Sequence, residues 1–144
     1  FPELRFGLIT GPNLPQPDYD AAVAGAPPSL TVMRFRTDFP GLLVNAELSV
    51  SQAGYNTVGD LLRAGCRSLL VPFALGGETE QPARAARLQA LGLAGVVEEQ
   101  ALTGEALAAA IREALDRPKP PPARLDLDGA AGSVCVLRDV LSNA

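Results

Sequence analysis

The 144-residue sequence has no histidine and no tryptophan, a single methionine and only two cysteines. Each scarcity excludes something. Without histidine, neither a Ser-His-Asp nor a Cys-His nucleophile pair can be assembled within the chain. The commonest metal ligand is missing as well, and Cys66 and Cys135 alone cannot build a structural zinc site. The two cysteines fall in different segments and make no disulfide framework, so both are expected as reduced packing residues of a cytosolic protein. No apolar run approaches the ~20 residues of a membrane span. The chain opens on Phe1 with no signal-peptide pattern, which suggests a domain or fragment. Positive charge is in deficit, with 12 Lys+Arg against 16 Asp+Glu and a net charge of −4 at pH 7. That balance argues against nucleic-acid binding and against electrostatic attachment to an anionic membrane.

What is present suits a folded domain. A hydrophobic content of 47% with 19% charged residues excludes wholesale disorder, and the length fits one domain with a substantial core. Short β-like runs alternate with helical patterns. Strands are predicted at 4–9, 30–35, 48–51, 68–71 and 94–97. Helices are predicted at 18–24, at 38–46 with Asp38 as N-cap, at 57–64 ending on Gly65, and at 80–91 with Pro82 in the first turn. A further helix follows Thr103, whose side chain is suited to capping. Ser68-Leu69-Leu70-Val71 has no polar alternation and should be buried on both faces. The pattern indicates an α/β fold: a Rossmann-like, three-layer α/β/α arrangement around a mainly parallel sheet of about five strands. Ligands of such sheets bind beyond the carboxyl ends of the strands. The informative loops are therefore 11–17, 35–38, 51–57 and 73–81. From Pro118 onward a proline-rich spacer leads to an amphipathic helix pattern through Leu127, Ala131, Val134, Leu137 and Leu141. That helix either packs back on this domain or crosses to a partner domain.

Three stretches carry candidate chemistry. In Ser51-Gln52-Ala53-Gly54-Tyr55-Asn56-Thr57-Val58-Gly59-Asp60, a strand ends, a small-residue turn follows and a helix begins near Thr57. Free N–H groups at a helix start attract an anion, and Gly54 permits close approach. Asn56 and Thr57 add side-chain donors, and Asp60 could accept from ribose hydroxyls one turn later. The same residues would also serve an ordinary capped helix. In the stretch from Val71 to Gln81, Glu80 and Gln81 stand at a helix start, and Gln81 can both donate to and accept from a sugar. A solvated acidic loop would look alike. In Phe35-Arg36-Thr37-Asp38, backbone beyond a strand could meet a base edge, with Phe35 for apolar contact, or simply connect two elements. Thr10-Gly11-Pro12-Asn13 lacks a glycine-rich dinucleotide fingerprint.

The run from Ser49 to Leu62, followed by Ala64-Gly65, Val71-Pro72-Phe73 and Glu80-Gln81, resembles the C-terminal domain of family 28 glycosyltransferases. The resemblance covers residues 4–115. It implies the donor-binding half of a GT-B type, metal-independent hexosyltransferase using a nucleotide diphosphate sugar, UDP-linked, with no cofactor. By position it implies that Gly54, Tyr55, Asn56 and Thr57 cradle the diphosphate. Asp60, where the family usually has Glu, would bind ribose. Glu80 and Gln81 would read the donor sugar, and the backbone of Phe35 and Arg36 would contact uracil. Residues 1–117 would form the nucleotide-sugar-binding domain, without its opening glycine-rich unit and without the N-terminal acceptor domain. Residues 118–144 would form the spacer and tail. A general base would come from the acceptor domain, and the fragment alone would be inactive. If the lacking strand is central, two strand edges are exposed and open to pairing with another copy. The location implied is a bacterial cytoplasm, peripheral to the inner membrane face, and the Ala-, Gly-, Pro- and Arg-rich usage suits a GC-rich bacterial genome. Two other readings are a sugar-nucleotide 2-epimerase of the same fold and a noncatalytic nucleotide-binding or interaction domain.

Overall fold

The computed structural model describes residues 1–120 and 129–142. The chain divides into two units, Phe1–Phe39 and Pro40–Ala144.

The first unit is a βαβ element: β1 (Phe6–Ile9), α1 (Gln16–Ala24) and β2 (Leu30–Met33). The strands pair in parallel from Phe6↔Leu30 to Ile9↔Met33. Helix α1 begins earlier than the sequence suggests because Pro17 is accommodated in its first turn, where its missing N–H is no loss. Strand β2 stops at Met33 because Arg34 leaves the ladder to tie the unit together. Its guanidinium donates to the Leu14 carbonyl at 2.9 Å and to Gln16 Oε1 at 2.7 Å, and lies 4.3 Å from the centre of the Tyr19 ring. No residue of this unit is fully buried.

The second unit contains α2 (Phe39–Asn45, beginning at the boundary), β3 (Ser49–Ser51), α3 (Tyr55–Ala64), β4 (Ser68–Leu70), α4 (Glu80–Ala90), β5 (Gly95–Val96), α5 (Gly104–Asp116) and α6 (Gly129–Ser142). Its sheet has the order β3-β4-β5, and both pairings are parallel. Every residue of β4 is buried, as its unbroken apolar run predicts. Leu70 is fully enclosed, among core residues that include Val58 and Leu61 of α3, Ala85 and Leu88 of α4, and Ile111 and Ala114 of α5. At Gly95 an added Cβ would lie 3.1 Å from Leu69 Cδ1, so the strands pack closely there and a larger residue would make the Leu69 side chain shift. Asp38 directly precedes α2. Both its carboxylate oxygens take hydrogen bonds from Arg36, at 2.7 and 2.6 Å.

All five strands and the parallel order match the expected fold class, but the strands form sheets of two and three rather than one. Within the described residues, no strand pairs with the second edge of β1 or of β3.

Two helix ends give local tests. Helix α3 stops at Gly65, whose φ of 62° is left-handed, and an added Cβ there would meet nothing within 4 Å. Gly65→Ala should therefore cost only the backbone term, about 1 kcal/mol, measured by urea unfolding. Helix α5 is capped as predicted, with the Ala106 N–H donating to Thr103 Oγ1 at 3.1 Å. Thr103→Ala should lower stability by about 1 kcal/mol in the same assay.

Each residue of α6 is exposed, with Leu141 at 77%, so it does not pack back on the described domain; Leu127 of the expected stripe lies outside the described residues. The cysteines differ accordingly. Cys66 is buried and Cys135 exposed, and both are free. Burial pushes the Cys66 thiol up, which keeps it protonated and inert. The expectation of two packing cysteines thus holds for Cys66 and fails for Cys135, because α6 has no covering element among the described residues.

Candidate functional site

The site is built at the carboxyl end of β3. The strand ends at Ser51, and α3 begins at Tyr55, two residues before the expected start at Thr57. Gly54 is the N-cap, extended at φ −62° and ψ 147°, with no side chain to cap the helix. Asn56 and Thr57 therefore belong to the first turn instead of preceding it. The Val58 N–H makes the first helical bond, to the Gly54 carbonyl at 3.0 Å. The N–H groups of Tyr55, Asn56 and Thr57 come before that bond and are left for an external acceptor. No acidic residue occupies this first turn, so the positive end of the helix dipole is uncompensated.

The neighbouring helix starts are filled. Glu78 Oε1 accepts from the Glu80 and Gln81 N–H groups of α4, at 2.6 and 3.3 Å, and Thr103 serves α5. Among these three helices, α3 alone presents its N-terminus without a side-chain acceptor. Asn56 and Asp60, four apart, share one side of α3, opposite buried Val58 and Leu61. Tyr55 is 79% exposed, and the Ser51 hydroxyl is buried with no hydrogen-bond partner.

Glu80 and Gln81 have a different geometry from the one the sequence suggests. Glu80 is exposed, its carboxylate 3.5 Å from Arg84 Nη2. Gln81 reaches across to the other loops: its Oε1 accepts from the Ala53 N–H at 3.1 Å and the Phe73 N–H at 3.2 Å. Arg84 donates to the Ala53 carbonyl at 2.6 Å, and Glu99 Oε2 accepts from the Ala74 N–H at 3.2 Å. Glu78, Arg84 and Glu99 are contributors that sequence reasoning missed. Arg84 was findable by its spacing from Glu80 and Gln81 on one helix face; Glu99 carries no local signal. Gly54, Tyr55, Asn56, Thr57, Asp60, Glu80 and Gln81 all lie in the second unit. Phe35 and Arg36 follow β2 in the first. Phe35 is 65% exposed. The Arg36 guanidinium, hydrogen-bonded to Asp38, holds that carboxyl below the usual carboxylate range and is itself raised by it.

Among the described residues, no cluster of three or more His, Cys, Asp or Glu could hold a metal ion, and no helix is long and apolar enough to cross a membrane.

The fold is similar to that of solved glycosyltransferases. It is similar to the crystal structure of Acinetobacter baumannii MurG, with TM-score 0.64 and 22% identity over 78% of this chain and 41% of that one. It is also similar to the glycosyltransferase VinC in complex with dTDP, with TM-score 0.61 and 23% identity over 81% and 34%. The family model of the glycosyltransferase family 28 C-terminal domain matches residues 3–126, and the chain belongs to that family. Among curated relatives, similarity is found to UDP-N-acetylglucosamine--N-acetylmuramyl-(pentapeptide) pyrophosphoryl-undecaprenol N-acetylglucosamine transferases. The Gloeobacter violaceus enzyme is 34% identical over 71% of this chain and 29% of its own length. The Exiguobacterium enzyme is 37% identical over 69% and 28%, and that of Prochlorococcus marinus 36% over 60% and 24%. The chain thus spans about a quarter of the length of these relatives.

Proposed function

We propose that this chain is the donor-binding part of a hexosyltransferase whose donor is a UDP-linked sugar, with UDP-N-acetylglucosamine the first candidate from the names of its relatives. The observation that carries the reading is the open N-terminus of α3 in a chain of this family. Three first-turn N–H groups and an uncompensated dipole suit a diphosphate. Gly54 lets the phosphates approach the backbone, and Tyr55, Asn56 and Thr57 supply the N–H donors. Asp60 accepts from the ribose hydroxyls, and Glu80 and Gln81 face the sugar.

In the intact enzyme, an acceptor hydroxyl oxygen attacks the anomeric carbon. The bond from that carbon to the β-phosphate oxygen breaks, and the electron pair leaves with the diphosphate. The α3 N-terminus stabilises the charge that develops there, an oriented field already in place before reaction. The proton of the acceptor passes to a base on a separate acceptor domain. Residues 1–117 form the nucleotide-sugar part and 118–144 the spacer and tail, and the enzyme works at the cytoplasmic face of a bacterial membrane.

Calorimetric titration with UDP and UDP-N-acetylglucosamine tests the binding half. The reading expects both to bind, and UDP-N-acetylglucosamine to bind more tightly. Transfer of labelled sugar by a longer protein containing this chain tests the chemistry. Donor binding without transfer to any acceptor would leave a noncatalytic nucleotide-binding module instead.

A further inference from the structure

The geometry points to Gln81 and Arg84 as positioning residues: from one face of α4 they hold both backbone polar groups of Ala53, fix the start of α3, and leave the Gln81 carboxamide able only to donate to a ligand. The ligand-facing half rests on the donor-binding reading above; the holding half does not.

Ala53 is fully buried, at 0% exposure. Its N–H and carbonyl lie beyond the last strand residue of β3, where the ladder to β4 closes with the Val71 N–H donating to the Ser51 carbonyl at 2.8 Å. Buried backbone groups outside a ladder require other partners. Gln81 and Arg84, three apart on α4 and therefore on one face, supply them. Gln81 Oε1 takes the N–H and Arg84 Nη1 meets the carbonyl, at 3.1 and 2.6 Å. Ala53 is the residue before the Gly54 N-cap, so holding it sets where the Tyr55, Asn56 and Thr57 N–H groups point.

Gln81 Oε1 also takes the Phe73 N–H at 3.2 Å, which joins the turn after β3 to the loop after β4 through one atom. Two N–H donors at the same end of the carboxamide identify that end as the oxygen. Both lone pairs are then engaged. The Nε2 group has no acceptor among the described residues and faces the ligand as a donor alone. This corrects the expectation that Gln81 both donates and accepts. A ligand atom meeting it must be an acceptor oxygen, of a hydroxyl or a phosphate.

The test is amide hydrogen exchange at Ala53 and Phe73 in the full 144-residue chain, on Gln81→Met and Gln81→Glu. The methionine keeps the volume and removes the acceptor. The glutamate keeps an oxygen for both N–H groups and removes the Nε2 donor. The proposal expects exchange at both amides to accelerate at least about tenfold in Gln81→Met, and to stay as slow as wild type in Gln81→Glu. Unchanged exchange in the methionine variant, or equally fast exchange in both variants, overturns it. If Gln81→Met does not fold, Gln81→Asn, with the same groups one methylene short, takes its place in the comparison. A UDP titration of the wild type runs alongside. Absence of UDP binding with the exchange differences intact overturns the donor reading and the ligand-facing half, while the clamp on Ala53 stands.

Discussion

Asn56→Asp is expected to weaken UDP binding roughly a hundredfold while making the folded chain more stable. The two effects have opposite sign for one reason. Asn56 sits in the first turn of α3, where no acidic residue is present and no side chain caps the helix. A carboxylate there complements the helix dipole and should add about 0.3–1 kcal/mol of stability. It also occupies the field that the diphosphate would use, and juxtaposed like charges cost several kcal/mol. A thermal melt and a UDP titration on the same sample measure both. If α3 is merely a structural helix, the stability gain should occur and UDP should be indifferent to the change.

Asp60→Ala is the second large effect. Asp60 is half-buried on α3 and shares its side with Asn56. Losing a charge-assisted hydrogen bond to the ribose should weaken UDP by about 1.5–3 kcal/mol, a factor of ten or more. The fold should not suffer, since Ala is the better helix former by up to about 0.7 kcal/mol. Inorganic pyrophosphate, which has no ribose, should bind the variant and the wild type alike. Equal losses for UDP and pyrophosphate would place Asp60 in some other role.

Parts of this arrangement were legible in the sequence because their causes are local. Ser68-Leu69-Leu70 has no polar alternation, so a strand buried on both faces follows directly, and β4 is such a strand. Thr103 and Gly65 mark helix ends by side-chain and backbone chemistry that acts within a few residues. Other parts depend on distant groups. Asn56 and Thr57 are good capping residues, and sequence preference places the helix start near them; Gly54 takes the N-cap instead, in an extended conformation open to any residue. The identity of Gln81 suggests a group free to donate and accept. Nothing near it in sequence shows that Ala53, 28 residues away, already engages its oxygen. Cys135 and the apolar residues of α6 read as packing residues, but packing needs a covering surface, which a helical period cannot supply. The five strands were visible as runs; their division into sheets of two and three is a property of pairing, which no single run encodes.

The central claim is that the start of α3 receives a nucleotide diphosphate. Amide-resolved NMR titration of the chain with UDP tests it most directly, because it registers millimolar as well as tight binding and reports which N–H groups respond. The account predicts that the Tyr55, Asn56 and Thr57 amides shift together along one binding curve, with Asp60 following, and that Asn56→Asp abolishes the response. Saturating millimolar UDP that leaves those three amides unmoved, or moves a different set, would contradict it.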